Sequence, residues 1–520
     1  LGIDKVGRDG LADLIGQGLP KEILFSIILP VYNTPAEILA ETFYSIVGQA
    51  YPGWEICLVD DGSTNIDTLK MLERIQQVMQ DTGKLRFLQR TVNGGIAKAT
   101  NDALSLASAP YVAFVDHDDI LHVEALLEIA LVLQRDKALK LIYTDSTMVD
   151  QTGCLLHIYR KPDWSPETLL HLNYINHLTV VERAAVEHIG GVSTEFDGAQ
   201  DWDLLLSLAE DLAFSEVKHI AKPLYAWRAT SQSLAYSVSA KPEAFATARR
   251  MLTKHLHRRG FISGECITNP NGPGVVNLWP ELDAKVEIII PTHSNLSGLK
   301  NCINGILTAT DYPKITITVI ANRCETAEMQ DYFASLSLQG IKIIADSRLF
   351  NWAKLNNGAA ALSNAELLLF MNDDVEVKEP DWLKKMSRYL RLDGVGIVGA
   401  TLFYPNEKLQ HNGVHTRTDW VAENIQTFGS RGELTMPRNV AAVTGACMLV
   451  ARSAFAAVGG FDERFAVNYN DVDFCLAART AGYRIIQAAD VALVHYESLS
   501  RGTIDRPEKK AQWDRESALM

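Results

Sequence analysis

The chain carries one ordered set of landmarks twice. Ile27-Ile28-Leu29-Pro30-Val31-Tyr32-Asn33 is an apolar run that closes on a proline and a polar turn, and Ile288-Ile289-Ile290-Pro291-Thr292-His293-Ser294 repeats it. An acidic cluster then follows an apolar run in both copies: Phe114-Val115-Asp116-His117-Asp118-Asp119, and later Phe370-Met371-Asn372-Asp373-Asp374. A stretch opening on two glycines and ending in acids spans 190–203 and recurs over 459–473. Self-similarity at so long a period means two homologous domains rather than a solenoid, and two sites if each copy carries one.

With 520 residues, 47% of them hydrophobic, the chain has material for two large cores. Its seven cysteines (Cys57, Cys154, Cys266, Cys302, Cys324, Cys447, Cys475) are scattered without a CxxC pair. That usage argues against a disulfide framework or zinc ribbon and for a reducing compartment. Apolar runs such as 440–451 are too short and too broken to cross about 30 Å of hydrocarbon, and no secretory signal is read at the start. The net charge of -14 disfavours nucleic acid as a partner. The expected location is cytoplasmic. Contact with the inner face of the membrane is added if the basic segment 506–515 (Arg506, Lys509, Lys510, Trp513, Arg515) binds lipid rather than forming a solvated helix face. A chain that opens on Leu fits a piece of a longer polypeptide.

The first copy alternates strand and helix: strands at 25–29, 55–59, 85–88 and 111–115, with helices at 35–49, 67–79 and 95–106 between them. This βαβα pattern predicts a mostly parallel sheet covered on both faces, with ligands outside the carboxyl edge where strand order reverses. Asn33, Asp60, Asp61 and Asp116 all fall at or just after a predicted strand end. The second copy repeats the alternation from 286 onward. The predicted organisation is a lead-in over 1–22, a domain over 23–264, a linker over 265–283 containing Asn269-Pro270-Asn271-Gly272-Pro273-Gly274, a second domain over 284–505, and a helical tail over 506–520.

Three constellations carry chemistry. Asp60-Asp61-Gly62-Ser63-Thr64 reads either as a capped strand-to-helix turn or as a ligand contact. The cluster Asp116-His117-Asp118-Asp119 gathers carboxylates that repel one another, and a fold that places them at a buried strand end needs a cation there. Hard oxygen ligands select magnesium, manganese or calcium. Recurrence as Asp373-Asp374 weighs against a plain surface turn. Finally, Asp197-Gly198-Ala199-Gln200-Asp201-Trp202-Asp203 and Asn468-Tyr469-Asn470-Asp471-Val472-Asp473 put acids at the start of a helix, where capping alone would also place them.

Taken together, the run from Ser26 to Asn33, Val59-Asp60-Asp61-Gly62-Ser63, Asn93-Gly94-Gly95-Ile96-Ala97, the acidic cluster and Gln200-Asp201-Trp202-Asp203 resemble the inverting glycosyltransferases of family 2, over 22–260 and again over 284–500. The resemblance implies an α/β fold of two tandem GT-A (Rossmann-like, mostly parallel sheet) domains. It also implies a UDP-, dTDP- or GDP-linked sugar donor, a glycan or glycolipid acceptor, and a divalent metal, manganese or magnesium. Carried over by position, Asp60 and Asp61 contact the donor's base and ribose, beside Pro30, Tyr32 and Asn33. Asp116 and Asp118 hold the metal and pyrophosphate, and Asp201 is the general base. In the second copy Pro291, Asn322, Asn351 and Asn356 line the donor, Asp373, Asp374 and His495 hold the metal, and Asp471 is the base.

Two departures stand out. Ile320-Ala321-Asn322-Arg323 replaces Val59-Asp60-Asp61-Gly62, so the acidic contact to the donor's base is missing from the second copy. Lys222-Pro223-Leu224-Tyr225-Ala226-Trp227-Arg228 has Ala226 where the family often has His, so either the first metal site is short of a ligand or Arg228 serves the phosphate. Phe350-Asn351-Trp352 and the residues after it resemble a segment of transferases that add deoxyhexoses or galactofuranose. The reading is a bifunctional transferase building a surface polysaccharide or lipid-linked glycan. Its rivals are one active domain with a degenerate acceptor-binding partner, and a non-catalytic glycan- or nucleotide-binding scaffold. Trp164, Trp202, Trp227, Trp352 and Trp420 are assigned to core packing ahead of sugar stacking.

Overall fold

A computed structural model describes residues 24–229, 242–268, 275–416, 422–427, 435–496 and 507–520. The lead-in over 1–22, Trp420, Arg506 and the Pro/Gly/Asn-rich passage 269–274 lie outside the described residues. The described residues fall into two compact units, one closing with Val275–Leu278 and the other opening at Trp279.

The first unit contains β1 (Phe25–Val31), β2 (Trp54–Asp60), β3 (Leu85–Gln89), β4 (Tyr111–Phe114), β5 (Ile120–Leu121), β6 (Leu141–Val149), β7 (Leu155–Tyr159), β8 (Thr179–Glu182), β9 (Val217–Arg228), β10 (Glu265–Thr268) and β11 (Val275–Leu278). Strands β1 and β2 are buried at every residue, as expected of parallel strands covered by helices on both faces. The main sheet runs β3-β2-β1-β4-β8-β6-β9-β5, with β7 on β6. Its β3-β2-β1-β4 half is parallel, and order reverses between β1 and β4. Their carboxyl ends lie at the reversal point where the βαβα pattern predicts a ligand crevice. Strand β8 runs antiparallel to both β4 and β6. The sequence reading missed it because Thr179–Glu182 is four residues long, too short for an alternation to show.

The second unit repeats this order with β12 (Val286–Thr292), β13 (Ile315–Asn322), β14 (Lys342–Asp346), β15 (Leu367–Met371), β16 (Val375–Glu376), β17 (Val395–Phe403), β18 (Leu409–His411), β19 (Val414–His415), β20 (Glu423–Asn424), β21 (Arg438–Asn439), β22 (Cys447–Ala451) and β23 (Arg484–His495). The sheet is β14-β13-β12-β15-β22-β17-β23-β16, strand for strand the order of the first. Trp352, Phe370, Phe461 and Phe474 form its aromatic core. Trp164 and Trp202 are buried in the first unit as well, so these three tryptophans pack inside and present no face to a sugar.

Two expectations change. The segment 265–283 is not a plain linker, because β10 and β11 pair antiparallel and Val275 N donates to His171 O at 2.9 Å, which fastens the hairpin to the first unit. The tail is the helix Pro507–Leu519, and it is more than a solvated face. Glu516 is buried and accepts from Ala466 N (3.0 Å), Val467 N (3.3 Å) and Asn468 N (2.7 Å), the loop that leads into Asp471.

Gly62 shows how tightly the first crevice is built. Its φ is +72°, and a Cβ there would lie 2.8 Å from both Asn93 N and Val92 C, which are backbone atoms. Gly62→Ala is expected to destabilise the first unit by about 2 kcal/mol or more, because roughly 1–2 kcal/mol goes to the left-handed backbone alone and the clash adds to it. Denaturant titration of the variant checks this, and an unchanged midpoint would contradict it.

Candidate active site

The strand ends bring the predicted residues together in two groups with different roles. Asp60 and Asp61 are 0% and 2% exposed. Asp60 accepts from Ser63 N (3.1 Å) and Gln89 Nε2 (3.1 Å). Asp61 accepts from Gly94 N (2.8 Å) and Gly95 N (3.0 Å) and forms an ion pair with Arg90, whose Nε lies 2.9 Å from Oδ1. Both carboxylates therefore brace the loops around the crevice. Asn33, at φ +50°, does similar work: its Oδ1 accepts from Thr64 N and Asn65 N at 2.8 and 2.9 Å, tying the end of β1 to the loop after β2. Pro30 is buried within β1, while Tyr32 is 44% exposed at the rim.

Asp116 and Asp118 are different, with side chains 37% and 34% exposed. With Asp119 they place one oxygen each within 4.8 Å of one another, the one such group of three among the described residues that could hold a metal ion. Asp119 was passed over as a site residue and is fully buried; it accepts from Tyr225 OH (2.7 Å) and Arg228 N (2.8 Å). Burial, then Asp116 and Asp118, push its carboxyl well above the usual range. Burial and Asp116 raise Asp118 as well. For Asp116, burial acts upward but the neighbouring His177 outweighs it and holds the carboxyl below its ordinary value. His177 Nε2 stands 3.3 Å from Asp116 Oδ2, and its Nδ1 is buried with no hydrogen-bond partner among the described residues. Three converging carboxylates form a hard-oxygen donor set that fits manganese or magnesium, and the His177 imidazole stands beside one of them, Asp116.

Sequence reasoning missed His177. The signal was the run Asn173-Tyr174-Ile175-Asn176-His177, polar residues placed just before an apolar strand. The same run sets Asp201, which accepts from Asn173 Nδ2 (3.1 Å), from Asn176 Nδ2 and from Trp202 N (2.8 Å). Burial, with a contribution from Asp116, raises the Asp201 carboxyl above its ordinary value.

Arg228 is a correction. Its side chain is 1% exposed, with Nε on Asp118 O (3.0 Å), one terminal nitrogen on Gln151 O (3.4 Å) and the other paired with Glu41. A guanidinium so enclosed cannot meet a donor phosphate.

In the second unit His495 Nε2 lies 3.1 Å from Asp374 Oδ1, and His495 Nδ1 lies 2.7 Å from Gln410 Oε1. Asp373 instead accepts from Thr292 Oγ1 (2.6 Å) and Asn295 Nδ2 (3.4 Å), bridging the ends of β12 and β15. Asp471 accepts from Gly445 N (2.8 Å) and Val472 N (2.9 Å), the latter matching Asp201 and Trp202. Pro291 is buried within β12. Asn322 donates to Asp346 O (3.3 Å) and Arg348 O (3.0 Å), so it ties the loop after β14 as Asp60 and Asp61 tie the loop after β3, with donor and acceptor exchanged. Asn351 caps the helix Trp352–Ala361 through Lys354 N (2.8 Å) and donates to Glu463 O (2.7 Å). Asn356 is a second correction: it is fully buried and donates to Trp352 O (2.8 Å), out of reach of any donor.

The family model for Glycosyl transferase family 2 matches residues 26–190 and 287–459, both copies of the repeat. The chain belongs to glycosyl transferase family 2. This family 2 chain is 38% identical to uncharacterized protein y4gI of Sinorhizobium fredii, over 96% of its own length and 55% of the relative's. It is 33% identical to the O-antigen biosynthesis protein RfbC of Myxococcus xanthus, over 94% of its length and 38% of that protein's. It thus spans about half, or less, of these two curated relatives. Among solved structures, residues 1–349 of TarS from S. aureus with UDP-GlcNAc share 20% identity over 45% of this chain and 66% of that one, at a TM-score of 0.37. Among the described residues no helix is long and apolar enough to cross a membrane.

Proposed function

We propose that this family 2 chain is a bifunctional inverting glycosyltransferase, each unit moving a sugar from a nucleotide-diphospho-sugar to a growing surface polysaccharide or lipid-linked glycan. The observation that carries the reading is the duplicated pairing of a helix-start aspartate, Asp201 or Asp471, with an acidic turn that meets an imidazole. RfbC, an O-antigen biosynthesis protein, points to the same acceptor class. The place of action is the cytoplasmic side of the membrane, where nucleotide sugars are made.

In this mechanism the acceptor hydroxyl approaches the anomeric carbon on the face away from the diphosphate. Asp201 takes its proton as the new C–O bond forms and the bond to the diphosphate breaks, so configuration inverts. Asn173, Asn176 and Trp202 N–H fix the carboxylate and leave lone pairs on its oxygens for the hydroxyl. Asp61 and Asn33 hold the crevice loops rigid, which fixes the donor's approach. Asp116, Asp118 and Asp119 would hold the divalent cation, as Asp374 and His495 would in the second unit. When bound, the cation neutralises charge growing on the departing diphosphate.

A panel of UDP-, dTDP- and GDP-sugars tests the reading directly. Nucleotide release from one or two donors with Mn2+, falling to background with chelator, is the expected result. No release from any donor, even with glycan-lipid extract as acceptor, would remove the transferase reading.

A further inference from the structure

Sheet register makes the two acidic clusters comparable residue by residue. Pairing of β5 with β9 sets Ile120 opposite Ala226, and pairing of β16 with β23 sets Val375 opposite His495. Ile120 and Val375 each follow the last acid of their cluster, Asp119 and Asp374. Ala226 therefore occupies the place of His495. On the other side of the cluster the exchange runs in reverse. Pairing of β4 with β8 sets Phe114 opposite Thr179, and pairing of β15 with β22 sets Phe370 opposite Met448. Counting back from Thr179 and Met448, His177 answers to Ala446 and Asn176 to Gly445. Hydrogen bonding supports that alignment independently, since Asn176 donates to Asp201 and Gly445 N donates to Asp471.

Each unit thus has one histidine and one alanine at these two positions, and the positions are swapped. Both imidazoles end on the acidic turn, His177 Nε2 at 3.3 Å from Asp116 and His495 Nε2 at 3.1 Å from Asp374. The acids they meet differ accordingly. By the β4 and β15 registers Asp116 answers to Asn372, so the acid that His177 meets is missing from the second unit, and His495 meets the acid next to β16 instead. Tyr225 steadies the first ring, with centroids 5.4 Å apart and planes tilted 37°, while its hydroxyl donates to Asp119.

We propose that His177 is the nitrogen ligand of the first unit's divalent-cation site, filling the place left by Ala226, so that the two sites take their imidazole from different strands. This rests on the metal-assisted reading above. His117 is the rival donor in the same turn; its Nδ1 lies 2.9 Å from Thr34 Oγ1 and 4.0 Å from Asp118.

Electron spin-echo envelope modulation of bound Mn2+ reads a coordinated nitrogen without relying on turnover. The full chain carrying His495→Ala, loaded with Mn2+ and UDP (dTDP or GDP in turn), is expected to show 14N coupling. Adding His177→Ala should abolish it and weaken Mn2+ binding about tenfold or more, and adding Ala226→His to that variant should restore it. His117→Ala should leave the coupling intact. Coupling that survives His177→Ala, disappears with His117→Ala, or is absent from the His495→Ala chain while Mn2+ still binds would overturn the assignment alone. A wild-type chain that binds no Mn2+ with any of these nucleotides would overturn the metal reading and this assignment together. Should His177→Ala fail to fold, the His177→Ala/Ala226→His chain and the His495→Ala spectrum still decide between the outcomes.

Discussion

Asp201→Asn is expected to lower transfer by the first unit about 10²–10⁴-fold while the second unit's linkage still forms, and Asp471→Asn to do the reverse. Asparagine keeps the size of the side chain, so the loss reads the proton acceptor and not the packing. In the first unit pH should report the same group. Burial, aided by Asp116, raises the Asp201 carboxyl, and the base works only when deprotonated. First-unit transfer should therefore fall on acidification at a pH above that of an ordinary carboxylate, and stay level on the alkaline side of that pKa. Product analysis that separates the two linkages is the measurement. If either substitution leaves both linkages at wild-type rates, that unit is not catalytic, and its crevice serves to hold the acceptor. Asn372 in place of Asp116 makes the second unit the one this experiment most needs to test.

The parts of this fold that could be read in the sequence are those that repeat. An all-buried parallel strand, an acidic turn at a strand end and a helix opening on an aspartate recur at matched positions, and each has a local cause in periodicity or turn chemistry. What escaped depends on neighbours distant in sequence. His177 reaches Asp116 only because the short strand β8 inserts beside β4, and nothing local marks Thr179–Glu182 as a strand. Glu516 meets the loop before Asp471 across 48 to 50 residues of chain. Asp60, Asp61 and Asn322 stand at strand ends as expected, yet which way a side chain turns there is set by the next strand's loop, with Gln89, Gly94 and Arg348 as partners. Motif position locates a crevice, while burial decides whether a carboxylate faces the ligand or the frame.

Arg228→Ala separates frame from ligand most sharply. The expected outcome is a loss of first-unit stability of about 3 kcal/mol, with donor KM unchanged in the molecules that remain folded. Two effects combine in that figure. Removing the guanidinium takes a hydrogen bond from the partly buried Asp118 O, at about 1–3 kcal/mol where such a group is left without a partner, and a weaker one from the exposed Gln151, and it empties a fully enclosed site. Glu41 adds little because its own side chain is 57% exposed, so losing its partner strands no buried charge. Lysine should rescue poorly, since a single ammonium cannot reach Asp118 O, Gln151 O and Glu41 in three directions at once. Denaturant titration of the first unit's transition, set beside donor KM for the same protein, distinguishes the two roles. A variant with unchanged stability and a raised donor KM would return Arg228 to the phosphate. A destabilised variant with unchanged KM fixes it as the brace that holds the acidic turn in register with β9.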